Sequence, residues 1–217
     1  MMKRFLLSSI ILLMLMSFSQ SEKPKILIIG DSISIGYTPF VADYFQGKAQ
    51  VTHNAGNAKF TANGLAHIEE WLGAEEFDII QFNWGLWDLC YRDAQMDRDK
   101  VNGTLTASLE EYERNLRALV SILKERSDAK LIFVTTSYVP KEEPGRFDKD
   151  AQRYNKVAKR IMRENDIEVN DIYSWTKKIH KTAGNGPDDV HYSKEGYEQI
   201  SQKITSQLQK ALAERMK

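Results

Sequence analysis

Segments shaped like buried strands alternate with amphipathic helical patterns along this chain, and that alternation constrains its fold more than anything else. The run Ile26-Leu-Ile-Ile29 is wholly apolar, as expected of a strand covered on both faces. Further strand-like runs are 50–54, 77–83, 130–136 and 167–173. Between them, Leu105, Leu109, Tyr112, Leu116, Leu119, Val120 and Leu123 recur on one face of a long helix. Tyr154, Val157, Ala158 and Ile161 make a second stripe, and Tyr197, Ile200, Ile204, Leu208 and Leu212 a third. Such alternation predicts a mainly parallel sheet of about five strands with helices on both sides. Right-handed crossovers then bring every strand C-terminus to one edge, where open α/β sheets bind their ligands.

With 217 residues, of which 42% are hydrophobic and 28% charged, the chain suits one domain with a substantial core. Lys plus Arg and Asp plus Glu are equal at 30 each, so no net field recruits nucleic acid or an anionic membrane surface. The single cysteine, Cys90, excludes an intramolecular disulfide, and no Cys/His cluster has metal-ligand spacing. Neither cofactor nor metal is expected. Residues 1–21 read as a secretory signal: Lys3-Arg4, an apolar run from Phe5 to Met16, then small and polar residues. Cleavage after Ser19 or Ser21 would start the mature chain near Gln20 or Glu22, exported to the periplasm or beyond. The catalytic domain is then 22–217, with no stable membrane insertion, and nothing in the sequence sets its oligomeric state. Pro140 to Asp148 is polar and helix-breaking and reads as a surface loop beside the expected ligand edge.

Two motifs carry chemistry. Gly30-Asp31-Ser32 ends the first strand and presents a hydroxyl at the sheet edge. Asp188-Asp-Val-His191 precedes the last helical stripe and offers an acid and a base within one turn. Together they are the parts that activate a weak alcohol nucleophile. Asn83-Trp-Gly-Leu-Trp-Asp88 also follows a strand end. His53, His67 and His180 read as ordinary loop or surface histidines, and Cys90 as a structural thiol.

These motifs resemble the SGNH hydrolases of the GDSL type, esterases and lipases with a flavodoxin-like three-layer α/β/α sandwich. Gly30-Asp31-Ser32 matches the family's first block, with Ile33 in place of the usual leucine. Asn54-Ala-Gly-Asn57 is similar to the second, and Asp188-x-x-His191 to the fifth. The resemblance implies Ser32 as nucleophile, His191 as base and Asp188 as the acid, in preference to Asp189. It also implies backbone N–H donors from Ser32 and Gly56 to the oxyanion. The third block departs, since Gly85-Leu-Trp-Asp88 has Trp87 where the family carries an oxyanion asparagine. The expected replacement is the Asn83 amide, with Asn57 as second candidate and Trp87 as a pocket wall. The activity implied is ester hydrolysis, foremost removal of acetyl groups from carbohydrates. A lysophospholipase or thioesterase and a non-catalytic glycan-binding relic are the alternatives.

Overall fold

A computed structural model describes residues 22–215; the expected signal segment lies outside them. Five strands form one parallel sheet: β1 (Lys25–Ile29), β2 (Gln50–His53), β3 (Ile79–Phe82), β6 (Lys130–Val134) and β7 (Glu168–Asn170), in the order β2-β1-β3-β6-β7. Every expected strand is present. β1 and β3 are apolar and buried apart from Lys25 at the start of β1 and Gln81, whose amide nitrogen donates to the Tyr37 hydroxyl at 3.1 Å inside the core. Their register pairs Ile26 with Ile79 and Ile29 with Phe82.

Two helical layers cover the sheet. On one face α1 (Ser32–Tyr44) and α5 (Tyr173–Ala183) both pack on α6 (Lys194–Arg215). On the other, α3 (Leu109–Arg126) lies between α2 (Thr61–Leu72) and α4 (Asp148–Glu164). This is the expected α/β/α sandwich. The stripes Tyr112, Leu116, Leu119, Val120 and Leu123, and Ile200, Ile204 and Leu208, are the faces that enter the core. Capping fixes where α3 begins: Ser108 Oγ accepts the Glu111 N–H at 3.1 Å, a cap typically contributing about 1 kcal/mol. Leu105, expected on that helix, instead lies in a short antiparallel hairpin of β4 (Tyr91–Arg92) and β5 (Thr104–Leu105). The cap stops the helix from extending back to it.

The strand order reverses between β1 and β3, because β1 connects to β2 on one side while β3 continues to β6 on the other. The crevice above such a point is where doubly wound sheets hold ligands. Ser32 stands directly after β1, at that crevice.

Candidate active site

The first side of the site is made by two tight turns. At the end of β1, Asp31 caps α1: its Oδ1 accepts the Ile33 N–H at 3.0 Å. The cap leaves Ser32 as the first helical residue, with its own N–H free of any acceptor among the described residues. Burial raises the Asp31 carboxyl above its usual range; the Ile33 N–H and then the field of Arg146 oppose that shift. One turn further, the Ser34 hydroxyl lies 2.7 Å from both the Asp31 carbonyl and His53 Nε2. His53 is thus not an idle loop residue but a partner of the helix start, and burial lowers its pKa.

The second turn carries His191, the expected base. His191 Nε2 is 2.9 Å from Ser32 Oγ, and its Nδ1 is 2.6 Å from Asp189 Oδ1. The same Asp189 oxygen accepts the His191 backbone N–H at 3.0 Å. This corrects the expected acid: Asp188 is exposed and its carboxylate makes no hydrogen bond among the described residues. The reason is local geometry, since one carboxylate oxygen two residues back can meet both the backbone N–H and the ring of a histidine. Gly186 (φ 153°) opens the turn, and the Asp189 N–H closes it onto the Gly186 carbonyl at 3.3 Å. His180 Nε2 steadies it from outside, 2.7 Å from the Asp189 carbonyl. Burial raises the Asp189 pKa, but the backbone N–H and imidazole of His191 outweigh it and hold the carboxyl below its usual range.

Around these residues lies a cleft of about 480 Å³ lined by Ser32, His191, Asp189, Asn57, Trp87 and Arg146, among others. A larger groove of about 890 Å³ runs along α4, and neither Ser32 nor His191 lines it. The second-block turn is organised by Asn54, whose Oδ1 accepts the Gly30 N–H at 2.9 Å while its amide reaches the Gly56 carbonyl at 3.3 Å. Gly56 has φ 68°, and its N–H has no acceptor among the described residues. Asn57 Oδ1 accepts the Lys59 N–H at 2.8 Å, which leaves its amide N–H groups unused.

Asn83 is not in the cleft, and this corrects the expected replacement donor. Its N–H still belongs to the β3 ladder, bonded to the Ile29 carbonyl at 2.9 Å, and its amide donates to the Val134 carbonyl at 3.3 Å. The strand simply runs one residue longer than the donor role requires. Gly85 then turns the chain at φ 139°, where a Cβ would come within 2.4 Å of Thr136 Oγ1. Beyond it Trp87 faces the cleft, whereas Trp84 is core and Asp88 is buried, accepting from the Thr61 N–H and hydroxyl.

Residues that the sequence did not single out also line the cleft: Arg92, Arg98 and Arg146. Arg146 comes from the 140–148 loop, which is less superficial than expected, because Glu143 and Arg146 form a buried ion pair at 2.6 Å. No spacing signal marks these arginines; only the folded chain brings them to Ser32. Among the described residues no His/Cys/Asp/Glu group could hold a metal ion, and no helix is long and apolar enough to cross a membrane.

Comparison with known proteins agrees with this architecture. The GDSL-like Lipase/Acylhydrolase family pattern matches residues 28–199. No curated protein matches in sequence. Among solved structures, the chain is similar to the acetyl xylan esterase AlAXEase at 16% identity and TM-score 0.69, covering 85% of this chain and 99% of that one. An acetylxylan esterase from Geobacillus stearothermophilus is 21% identical with TM-score 0.69, covering 86% and 94%. A lipase/acylhydrolase from Enterococcus faecalis is 20% identical with TM-score 0.66, covering 85% and 95%. At these identities the likeness is one of fold.

Proposed function

The chain belongs to the GDSL-like lipase/acylhydrolase family and is an ester-hydrolysing serine hydrolase, and from that premise we propose that Ser32, His191 and Asp189 are its triad, acting outside the cytoplasm on small acyl esters of carbohydrates. The observation that carries the assignment is the unbroken chain of 2.9 Å and 2.6 Å contacts from Ser32 Oγ through the imidazole to Asp189. Asp189 holds the proton on Nδ1, which leaves Nε2 to accept the serine proton. Ser32 Oγ then attacks the acyl carbonyl, and the oxyanion meets the free N–H groups of Ser32 and Gly56 and the Asn57 amide. His191 returns its proton to the leaving alcohol. A water, deprotonated by the same imidazole, releases the acid and regenerates Ser32.

The substrate class rests on the cleft. Its wall of Trp87, Arg92, Arg98 and Arg146 is polar and charged, a poor lining for a long acyl chain and a good one for a hydroxylated leaving group. That argues against the lysophospholipase reading, and the intact triad geometry argues against a non-catalytic relic. The acetyl xylan esterases among the structural neighbours support the same class by analogy of fold. Turnover of p-nitrophenyl acetate and the octanoate ester by wild type and Ser32→Ala tests the proposal. Acetate preference that Ser32→Ala abolishes is the expected result; octanoate preference, or activity surviving Ser32→Ala, overturns it. For export, N-terminal sequencing is expected to find a mature chain starting near Gln20 or Glu22. An intact Met1 in the membrane fraction contradicts that.

A further inference from the structure

Arg146 is only 4% exposed yet lines the cleft that holds Ser32. Its Nε–H donates to the Leu86 carbonyl at 2.6 Å and its Nη1 to Glu143 Oε1 at 2.6 Å. Among the described residues Nη2 donates to nothing, although a guanidinium offers five N–H groups. Glu143 cannot absorb all of its charge, because the same carboxylate also takes Arg98 Nη1 at 3.2 Å and the Gly145 N–H at 2.8 Å. A third cation, Arg92, has no carboxylate partner among the described residues. Its Nη1 donates to the Met96 carbonyl at 2.6 Å, and its guanidinium stands 4.8 Å over the Trp87 ring. The carboxylates that line the cleft itself are Asp97, which is exposed, and Asp189, which is held by His191, and neither bonds a guanidinium. Among the described residues Glu143 is the one carboxylate bonded to any of the three guanidiniums, and it is shared between Arg98 and Arg146.

Arg146 is buried apart from the nitrogen that makes no protein bond, which keeps access to the cleft, so that nitrogen is the donor an incoming anion or acceptor meets. An arginine kept only to support the Leu86 carbonyl and Glu143 would not need to border the cleft. Stacking on Trp87 also pre-orders Arg92, so less side-chain freedom is lost when it meets a ligand. Arginine forks match carboxylates in shape as well as charge.

We propose that this wall is a carboxylate subsite, so that the preferred substrate is the acylated form of an acidic sugar. Arg146 Nη2 takes the carboxylate, and Arg98 and Arg92 flank it. The inference rests on the esterase reading above and narrows its substrate class. The chemistry is unchanged: the bond broken is the acyl ester, and the carboxylate only binds.

Acetate release from methyl tri-O-acetylglucuronoside, as free acid and as its neutral carboxamide, tests it at neutral pH. The acid should be favoured in kcat/KM by ~10-fold or more, and high salt should narrow the ratio. The double variant Arg92→Gln/Arg98→Gln should bring the ratio near one, and so should Arg146→Met, which keeps the apolar stem. Should Arg146→Met fail to fold, the double variant carries the test alone. Equal rates for acid and amide in wild type, or a ratio unmoved in the double variant, overturns the subsite. So does an Arg146→Met enzyme that loses both substrates equally, which would place Nη2 on the reacting oxyanion instead. If wild type cleaves p-nitrophenyl acetate but neither sugar, the subsite falls and the esterase reading stands; if it cleaves none of the three, both fall.

Discussion

The two sides of the cleft are built by different means. The side of the proposed triad consists of residues that arrange one another over two or three positions: Asp31 caps the helix that presents Ser32, and Asp189 holds the ring two residues ahead. The opposite side is assembled from afar. Leu86 follows β3, Arg98 follows the β4 strand, and Arg146 belongs to the loop before α4, joined through Glu143 and the Leu86 carbonyl. Short-range geometry makes the Ser32 side readable from sequence, whereas the other side depends on contacts between segments far apart in the chain, Arg98 with Glu143 and Arg146 with the Leu86 carbonyl.

The comparison breaks most easily at the triad. Ser32→Ala and His191→Ala should each lower kcat by ~10⁶-fold, and the double variant should be little worse, because the groups act as a unit. Additive losses measured in the double variant would mean that the two side chains act separately. Next in size, Asp189→Asn should cut kcat by up to ~10⁴-fold, since an amide can hold the wrong imidazole tautomer. Asp188→Asn should stay within about twofold, as expected of an exposed residue away from the reaction. The reverse order would restore Asp188 as the acid.

Smaller effects sharpen the contrast between a donor and a strut. Asn57→Ala should lower kcat by ~10²-fold with little change in KM, as for a lost oxyanion donor. Asn83→Ala should instead lower unfolding stability by about 1–3 kcal/mol, the usual penalty for leaving a buried carbonyl without its partner. A kcat loss in Asn83→Ala at unchanged thermal stability would put that amide back in the reaction.

The last contrast is one of pH, and its sign differs between the buried Asp88 and the half-buried Asp189. Burial pushes the Asp88 carboxyl from 3.8 up to about 7, against the opposing hydrogen bonds from Thr61. Between those values the folded chain keeps a proton that the unfolded chain has released, so Asp88 lowers stability as pH rises through that window. Asp189 is held below its usual value, so its contribution is present above the unfolded carboxylate pKa and is lost as pH falls through the folded one. Thermal unfolding of Asp88→Asn across the acid-to-neutral range should show a gain relative to wild type that grows with pH. A difference independent of pH would mean that the Asp88 carboxyl has the same pKa in the folded and the unfolded chain.

Where a pattern arises from short spacing, it was legible before folding. The apolar runs that became β1 and β3 are buried on both faces, so their composition alone marks them. The stripe from Tyr112 to Leu123 is legible because one face must be apolar at helical period. α1 escaped notice because Gly36 and Pro39 interrupt it and because its apolar residues form no clear single face. Leu105 was drawn into the α3 stripe because periodicity carries no mark of where a helix starts, which the Ser108 cap decides. Asp188 and Asp189 are adjacent and identical in type, and only the turn at Gly186 distinguishes them. Asn83 misled because one residue of ladder decides which way a strand-end side chain faces.

By itself, then, the sequence determined the parallel sheet, its helical cover and the place of Ser32 at one edge, which follow from periodicities and from the chirality of crossovers and so depend on residue type and order alone. That His191 belongs with Ser32 was implied by the two motifs and their resemblance to the SGNH blocks. Only the tertiary structure decided which aspartate serves His191, which asparagine faces the cleft, and that Arg92, Arg98 and Arg146 share it. Each of those is a matter of side-chain direction or of contact between segments far apart in the chain. Such contacts exist only once the core has packed and its buried charges have found partners.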